Sequence, residues 1–524
     1  MRHVRTIIIR RIGVAVAGAS MLAGAAGGLS AQRGAPPAGF PATLDAYIAK
    51  AMADWEVPGL AIAVVRNDSV LVAKGYGVRE LGKPERVDEN TVFSTASLTK
   101  SFTATAAAML VDDRRLEWDA PARRYLPGLR FRDPYLTENV TVRDLLAHRT
   151  GLRAANISWQ MTGADRAEMI RRARYLEPEA PFRTRLVYSN VGYLYAGEAI
   201  AAAAGMPYEE VIRQRLFAPL GMRSTTIGDA GAARSANRAM PHAMIDGVQR
   251  SIPWRNIDVI AAAGSVNSTA ADMAQWLRFQ LGDGTFGGRR LVSAEGLWEI
   301  HSPQLAIAGS PAFKAARLVE GIGAYALGWQ VMDYRGHPLV WHTGNADGMP
   351  AFMAMLPKER LGVVIMVNTW GAGLIHALLM NRVLDEYLGY PPRDWSGEQL
   401  PRKAAIRAGY DYTQNVQRLS AGRVGGTAPS HPLGAYAGVY VDSVYGTQTV
   451  ALENGRLTLR MGTDQVADLS HWHYDTFLVT WRDPLFREVF PALLTFSSDG
   501  AGRVDRLQVQ INRDVIRSAR VAAP

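Results

Sequence analysis

The chain has 524 residues, of which 48% are hydrophobic and 20% are charged, and its formal net charge is +10. This size and composition are typical of a folded soluble protein of two or three domains. The sequence contains no cysteine, which excludes a disulfide framework, a cysteine nucleophile, an iron–sulfur cluster and a thiolate zinc site.

The first 31 residues predict a cleaved export signal. Four arginines precede an apolar run rich in alanine and glycine, and small residues follow near residue 30. The run is short and weakly hydrophobic for a spanning helix. We therefore expect a periplasmic or secreted protein with no stable membrane insertion after cleavage; the alternative is a retained anchor. The pair Arg10-Arg11 is compatible with the twin-arginine route.

Removal of residues 1–31 takes away four arginines and no acidic residue, so the net charge falls from +10 to +6. That value is ordinary for a chain of this size. No basic block is interleaved with aromatic residues in the way that predicts nucleic-acid binding, so we expect no nucleic-acid partner.

Hydrophobic periodicity predicts strands at both ends of a helical middle region. Helices are predicted over residues 44–55, 97–110, 142–146, 167–174, 193–204, 208–216 and 270–281. Strands are predicted over residues 60–65, 70–73, 328–332, 339–341, 352–356 and 361–367. This order favours an α+β architecture in which one antiparallel sheet is flanked by helices and accompanied by a helical subdomain.

The pattern changes after residue 390. A polar segment with helical character is followed by a Gly/Pro/Ser-rich stretch, and short strands alternate with turn residues from Tyr436 onward. The second pattern predicts a small all-β barrel or sandwich. The expected organisation is a signal peptide at 1–31, a main domain at 32–390, a linker at 391–434 and a β-barrel domain at 435–524.

Ser97 and Lys100 form a Ser-x-x-Lys motif at the start of a predicted helix. Side chains at i and i+3 lie on one face of a helix about one turn apart. A serine hydroxyl is inert at its own pKa and needs a neighbouring base, which the Lys100 amine can supply. The motif is unspecific by itself, because an N-cap serine followed by an exposed lysine has the same spacing.

Tyr188 and Asn190 lie in a loop before a predicted helix. Beside a lysine ammonium, the Tyr188 phenol is expected to ionise more easily and to take or relay the serine proton. Asn190 carries both a donor and an acceptor, so it can hold a substrate amide or the lysine. The alternatives are a packed tyrosine with a bonded hydroxyl and a turn asparagine.

His342, Thr343 and Gly344 follow a predicted strand. A strand edge there can pair with an extended substrate, and the backbone N–H of Asn345 can contribute to an oxyanion site. His342 titrates near neutrality, so it is expected to carry positive charge toward a substrate carboxylate. The alternative is a hydrogen-bonded structural histidine.

Together these motifs resemble the serine β-lactamase and penicillin-binding fold, specifically the class C β-lactamase-related serine hydrolases. That group includes class C β-lactamases, D-alanyl-D-alanine carboxypeptidases, D-aminopeptidases and family VIII esterases. The resemblance covers about residues 40–385, and residues 469–477 resemble the lipocalin-like barrel fused to some of these hydrolases. Besides the three motifs, the segments that carry the resemblance are Phe93–Thr103, Thr141–Leu152, Phe217–Met222 and Ser268–Ala274.

The resemblance implies acyl transfer through a serine ester followed by hydrolysis, with no metal or organic cofactor. Ser97 is similar to the acylated nucleophile, and Lys100 and Tyr188 are similar to the shared acid/base pair. It also implies a substrate-amide contact, a substrate-binding strand, and an oxyanion hole made of two backbone N–H groups. These roles fall on Asn190, on His342, Thr343 and Gly344, and on Ser97 and Asn345.

The leading hypothesis is a serine hydrolase that acts on a small ester or amide, with D-amino-acid peptides among the candidate substrates. A first alternative is a β-lactamase or D-alanyl-D-alanine carboxypeptidase. Class C β-lactamases resemble this chain but have lysine at the position of His342, which favours the esterase and peptidase branch. A second alternative is a binding or regulatory homologue without the chemistry. The residues leave open the oligomeric state and which of Lys100 and Tyr188 is the base.

Overall fold

The computed structural model describes residues 40–307, 320–409 and 411–522. The predicted export signal at residues 1–31 lies outside the described residues, so the signal and the localisation inferred from it stay predictions. Within the described ranges, no helix has both the length and the apolar character that crossing a bilayer requires.

The main domain contains an antiparallel sheet of eight strands among the described residues. A strand from the start of the domain, Gly59–Arg66, pairs with Leu361–Val367 from its end, so the predicted α+β architecture is confirmed. The order across the sheet is Leu305–Ile307, Glu320–Tyr325, Gln330–Tyr334, His337–Ala346, Met349–Leu356, Leu361–Val367, Gly59–Arg66 and Ser69–Gly77.

The central strands are apolar throughout because both faces of the sheet are buried. Along Gly59–Arg66, the residues Ala61, Ala63 and Val65 pack into one hydrophobic core, while the alternating residues Leu60, Ile62 and Val64 pack into another. Successive side chains of a strand point to opposite faces. A sheet covered on both sides therefore needs a continuous apolar run rather than an alternating one.

Helices cover the two faces. Phe40–Trp55 and Ile375–Leu388 pack on one face, and Thr99–Asp112, Asn190–Ala204 and Ala270–Leu281 contribute to the core on the other. Other α-helices among the described residues of this domain are Pro134–Asn139, Val142–Leu146, Asn156–Gln160, Arg166–Ala173, Tyr208–Ile212, Ala218–Leu220, Asp229–Ala233, Ala261–Gly264 and Ala294–His301. A π-helical turn over Arg213–Phe217 continues the predicted 208–216 helix.

The segment predicted as a linker begins with helices. Trp395–Gln399 and Lys403–Ala408 pack on the main domain, whereas Tyr412–Ser420 lies against the barrel. Trp395 is buried, and its indole N–H donates to Asp385 Oδ2 at 2.8 Å. A buried tryptophan contributes a large apolar area, which explains why this polar-looking stretch is held against the domain.

The C-terminal region is a closed antiparallel barrel of eight strands, which confirms the predicted barrel. Pairing of the first strand with the last closes it, and large aromatic side chains such as Tyr436, Tyr440 and Phe496 fill the interior. The strands are Gly438–Asp442, Gly446–Glu453, Arg456–Met461, Gln465–His473, Thr476–Trp481, Ala492–Ser498, Val504–Ile511 and Asp514–Val521; a helix, Pro484–Val489, lies between the fifth and sixth.

The barrel docks on the main domain at separate places. Asp514, at the start of the last strand, accepts a hydrogen bond from the backbone N–H of Ile157 at 2.8 Å. On the barrel's Pro484–Val489 helix, Leu485 packs in a small core with Ala243 and Ile245. These contacts hold the barrel beside the opening of the cleft described next.

Candidate active site

Ser97 lies in a tightly held turn at the start of a buried helix. A 3₁₀ turn, Ala96–Leu98, leads directly into the Thr99–Asp112 helix. The Thr95 backbone N–H and hydroxyl both donate to the carbonyl of Val266, at 3.0 and 2.7 Å. In the run from residue 91 to residue 100, Ser97 alone is not buried. The hydroxyl of Ser97 therefore faces the cleft from a rigid support.

Lys100 lies one helical turn beyond Ser97 and is completely buried. Its Nζ is 3.0 Å from Ser97 Oγ, 2.8 Å from Asn190 Oδ1 and 2.9 Å from the carbonyl oxygen of Ala263. None of these neighbours is a carboxylate. Because burial penalises the charged form and no anion compensates for it, the pKa of Lys100 lies well below its ordinary value of 10.5.

The hydrogen-bond geometry fits a neutral amine. A neutral lysine has two N–H groups and one lone pair, and the oxygens of Asn190 and Ala263 can only accept. If both N–H groups point to those oxygens, the lone pair is left for the hydroxyl of Ser97. The Ser97 O–H can then donate to Nζ, which is the arrangement that a general base needs.

Tyr188 completes this group from the loop before the Asn190–Ala204 helix. Its ring centroid is 4.9 Å from Lys100 Nζ. Burial raises the pKa of Tyr188 above its ordinary value, although its interaction with the Ser97 hydroxyl opposes that shift. This direction corrects the expectation that a lysine ammonium would make the phenol easier to ionise, because burial has the larger effect and Lys100 itself favours the neutral form.

Asn190 is the first residue of its helix, and Ser189 caps that helix by accepting from the Gly192 N–H at 3.3 Å. The side chain of Asn190 accepts from Lys100 and donates to Asn156 Oδ1 at 3.3 Å. Of the two roles foreseen for this residue, the geometry displays the contact with the lysine. Its position at the cleft leaves it within reach of a substrate.

The strand His337–Ala346 brings Thr343, Gly344 and Asn345 to the turn that carries Ser97. Its residues 337–341 pair with Gln330–Tyr334, whereas residues 342–346 have no strand partner on that side among the described residues. A Cβ added to Gly344 would lie 2.1 Å from the carbonyl oxygen of Thr95. Only glycine permits this approach. We call residues 342–346 the free edge.

His342 differs electrostatically from the sequence-based expectation. Its side chain is 1% exposed, and burial lowers the pKa of His342 to about 3. Its Nε2 is 3.0 Å from the hydroxyl of Tyr325, and its Nδ1 is 2.6 Å from the carbonyl oxygen of Thr343. The expected cationic contact for a carboxylate is therefore wrong, because a desolvated imidazole is neutral at pH 7.

Ser97 lies in a cavity of about 1000 Å³ that is also lined by Tyr188, Asn190 and the free edge. The barrel contributes Phe490 and the hairpin residues Asn512, Arg513 and Asp514 to the same cavity. A cavity of this size accommodates a ligand larger than a single amino acid. Sequence reasoning missed the barrel residues, since nothing in the chain pattern indicates which surface a second domain will meet.

Two other residues near the site were not singled out from the sequence. His148 and Tyr325 are both buried and hydrogen-bonded to each other at 3.2 Å. His148 falls inside one of the segments that carry the family resemblance, but Tyr325 carried no such signal. Within the described part of the chain, no group of three or more potential metal ligands is brought together.

The described geometry agrees with comparisons to known proteins. Residues 44–383 match the Beta-lactamase family, and residues 423–520 match a domain of unknown function, DUF3471. The chain is 28% identical over 432 residues to the "Unguisins hydrolase ungD" of Aspergillus violaceofuscus. The aligned residues are 76% of this chain and 74% of that relative.

Solved structures resemble the fold as well. The D-amino acid amidase from Ochrobactrum anthropi SV3, complexed with L-phenylalanine, has a TM-score of 0.56 at 26% identity and covers 66% of this chain and 99% of its own. The octameric penicillin-binding protein homologue from Pyrococcus abyssi has a TM-score of 0.60 at 21% identity and covers 91% of this chain and 99% of its own. At that identity, the likeness shows the fold alone. Since the family match extends over more than half of its length, the chain belongs to the Beta-lactamase family and is a serine hydrolase.

Proposed function

We propose that Ser97 attacks a small ester or amide to form an acyl-enzyme, with Lys100 as the general base and Tyr188 as the proton donor to the leaving group. One observation carries this proposal: Lys100 is buried, has no carboxylate partner among the described residues and lies 3.0 Å from the hydroxyl of Ser97. An amine in such a place favours its neutral form and can accept the serine proton.

Acylation moves two protons. The Ser97 proton goes to Lys100 Nζ while Oγ bonds to the substrate carbonyl carbon, and the backbone N–H groups of Ser97 and Asn345 stabilise the oxyanion. When the bond to the leaving group breaks, Tyr188 gives it a proton. The resulting phenolate and ammonium lie side by side, with Nζ 4.9 Å from the ring centroid, so opposite charges form together in a buried place.

Deacylation reverses these transfers. Water attacks the ester carbonyl and gives its proton to the Tyr188 phenolate. The Lys100 ammonium returns its proton to Ser97 Oγ as the ester bond breaks. The products are the free acid and the protonated leaving group, and all three enzyme groups regain their starting state. The raised pKa of Tyr188 suits it to hold a proton until the leaving group needs one.

For the substrate we propose amides and short peptides of D-amino acids, followed by simple esters. The name of one similar protein, a D-amino acid amidase, supports this class, as does a cavity large enough for more than one residue. A β-lactamase activity is less favoured, because the neutral His342 supplies no positive charge for the carboxylate of a β-lactam. An inactive binding homologue would not need a desolvated lysine beside its serine.

Labelling with a fluorophosphonate and mass spectrometry tests this proposal. We expect the label on Ser97, and turnover of p-nitrophenyl esters and D-amino-acid amides that falls to background in Ser97→Ala. Removal of the Oγ eliminates the acyl-enzyme, whereas the fold should persist because Ser97 is not part of the buried core. Thermal unfolding of both proteins provides the control. A label on another residue, or ester turnover that survives in S97A, would contradict the proposal.

A further inference from the structure

Three buried side chains beneath the cleft form a hydrogen-bonded chain that the acyl-transfer steps do not use. His148 Nε2 is 3.2 Å from the hydroxyl of Tyr325, and that hydroxyl is 3.0 Å from His342 Nε2. Each side chain is 1% exposed. The three residues come from different parts of the main domain: the segment after the Val142–Leu146 helix, the strand Glu320–Tyr325 and the strand His337–Ala346.

The end contacts determine where the protons lie. His148 Nδ1 is 3.1 Å from the backbone nitrogen of Ser189, which can only donate, so this Nδ1 accepts and the ring proton is on Nε2. His342 Nδ1 lies 2.6 Å from the carbonyl oxygen of Thr343, which can only accept, so this Nδ1 carries the proton. The two histidines therefore have opposite neutral tautomers.

With these tautomers, the hydrogen bonds through His148, Tyr325 and His342 all run in one donor-to-acceptor direction. His148 Nε2–H donates to the Tyr325 oxygen, and the Tyr325 hydroxyl donates to His342 Nε2, so each donor meets one acceptor. Burial lowers the pKa of His148 well below its ordinary value and raises the pKa of Tyr325, which keeps both neutral. The other ionisable groups that face these three residues are Lys100, Tyr188 and Tyr193, and the side chain of Tyr193 also hydrogen-bonds with that of Tyr325.

The His148 end of this hydrogen-bonded group supports Tyr188. The ring of His148 lies 4.2 Å from the ring of Tyr188, measured between centroids, and its Nδ1 holds the backbone of the next residue, Ser189. His148 also has a φ of 56°, a left-handed conformation that only a few per cent of non-glycine residues adopt, with asparagine, aspartate and histidine among the more frequent. Such a conformation persists when surrounding contacts determine it, and it is frequent near functional sites.

The other end supports the free edge. His342 is the first residue of this unpaired stretch, which continues to Asn345, the proposed oxyanion donor. The three hydrogen-bonded side chains thus connect the segment of Tyr188, the proposed proton donor, with the strand of Asn345, the proposed oxyanion donor. Neutral buried hydrogen bonds of this kind hold a separation rigidly, because breaking one leaves unpaired polar groups away from water.

We infer that His148 and Tyr325 are positioning residues, which hold Tyr188 and the free edge at the separation that acyl transfer requires. This inference rests on the proposed function and adds two residues to it that touch neither substrate nor the reacting atoms. Tyr325 sets the link between the two sides of the cleft, and His148 sets the backbone and ring of Tyr188.

Tyr325→Phe tests the link, since it removes one hydroxyl and leaves the ring in place. It strands a donor on His148 and an acceptor on His342. A misplacement of catalytic groups can cost about 10²-fold in rate, so we expect kcat and kcat/KM to fall together by roughly 10- to 100-fold while KM changes little. The acid limb of the pH profile should keep its midpoint, because the limb belongs to Lys100.

Tyr208→Phe is the matched control. Tyr208 is also a buried tyrosine, and its hydroxyl bonds to Thr103 Oγ1 at 2.7 Å away from the cleft. It should lower thermal stability to a similar degree without a change in kcat. If both variants lose activity only in proportion to the folded fraction, the role of Tyr325 is merely structural and the inference is wrong.

His148→Asn provides a second, independent variant. Asparagine tolerates the left-handed backbone, and its side-chain oxygen can accept from the Ser189 N–H, but it is too short to reach Tyr325. We expect a fall in kcat at least as large, and the double variant H148N/Y325F should be no worse than H148N alone, because H148N already breaks the link to Tyr325. Additive losses of kcat in the double variant would overturn the inference. The H148N variant also keeps the inference testable if Y325F alone folds poorly.

Labelling separates this inference from the proposed function. Failure of a fluorophosphonate to modify Ser97 in the wild type would defeat the proposed function itself. A wild type that labels normally, together with a Y325F protein that turns over D-amino-acid amides at the wild-type rate, would defeat the inference alone. Nitrogen NMR of the ¹⁵N-histidine protein should also show opposite tautomers for His148 and His342 in the wild type.

Discussion

At the scale of single residues, the site depends on a lysine that has been deprived of water and of counter-ions. A lysine is ordinarily charged at pH 7, and its ammonium would have no lone pair to receive the serine proton. Burial changes this, because all three polar neighbours of Lys100 Nζ are neutral. The same burial keeps the Tyr188 phenol protonated, so one physical cause prepares both the proposed base and the proposed acid.

The activity should therefore fall in acid as Lys100 becomes protonated. The pKa of Lys100 is lowered well below 10.5, so the neutral, active form is present above that lowered value and lost beneath it. A pH profile of kcat/KM for a p-nitrophenyl ester measures the limb. A profile that stays flat from neutral pH down to about pH 4, which is below the pKa range of any ordinary amine, would contradict the role of Lys100 as the base. In Lys100→Met the turnover should be absent at every pH.

The same shift affects stability with a defined sign. Between the lowered pKa of Lys100 and 10.5, the unfolded chain binds a proton that the folded chain does not bind. The free energy of unfolding therefore rises with pH across this window as far as Lys100 contributes. The site thus costs the fold some stability in exchange for a basic amine.

At the scale of secondary-structure elements, the proposed catalysis depends on the close approach of a strand to a helix start. Gly344 lies where any Cβ would meet the Thr95 carbonyl at 2.1 Å. The strand Gln330–Tyr334 starts opposite Trp341, which leaves the free edge available to a substrate. The groove beside Ser97 therefore exists because residue 344 is a glycine and because the neighbouring strand begins only opposite Trp341.

Gly344→Ala should separate the strand from the Ser97 turn. Because the clash is with backbone, the two elements must move, and we expect kcat/KM to fall by about 10²-fold with the sheet still formed. Gly128→Ala is the control, since a Cβ there meets nothing within 4 Å. Steady-state kinetics and circular dichroism of both variants provide the measurement. A fully active G344A protein would show that the approach is not needed.

At the scale of the whole molecule, the barrel forms part of the cleft wall. Its hairpin residues Asn512, Arg513 and Asp514 line the cavity that contains Ser97. Asp514 also anchors the barrel by accepting from the Ile157 N–H at the start of a five-residue helix. A helix start has N–H groups without intrahelical partners, so a carboxylate from the barrel satisfies one of them.

Asp514→Ala should loosen this wall. The unpaired Ile157 N–H costs about 1–3 kcal/mol, and we expect KM for a D-peptide amide to rise by about ten-fold, which corresponds to about 1.4 kcal/mol. A p-nitrophenyl ester, which needs little of the wall, should be nearly unaffected. Asp468→Ala is the control, because Asp468 pairs with Arg482 on an exposed part of the barrel. Equal effects on both substrates would contradict a role in substrate binding.

Sequence reasoning predicted the elements whose physics is local. The helices over Val142–Leu146 and Ala270–Leu281 and the strand Leu361–Val367 have the bounds that periodicity predicted. For the barrel, the sequence predicted short strands and turns from Tyr436 onward but not the bounds of each strand. In Asp514–Val521 the buried positions include the polar residues Asp514 and Ser518, so the apolar alternation that marks a strand is weak.

For the site, the sequence by itself determined which residues are proposed to carry the chemistry, because a serine and a lysine one helical turn apart must lie on the same face. It also indicated Tyr188, Asn190 and the His342–Asn345 stretch through their resemblance to a known family. The tertiary structure alone decided the protonation states: His342 is neutral rather than cationic, and Tyr188 holds its proton. Desolvation depends on atoms brought from distant parts of the chain, and so does the position of the barrel over the cleft; neither can be read from neighbouring residues.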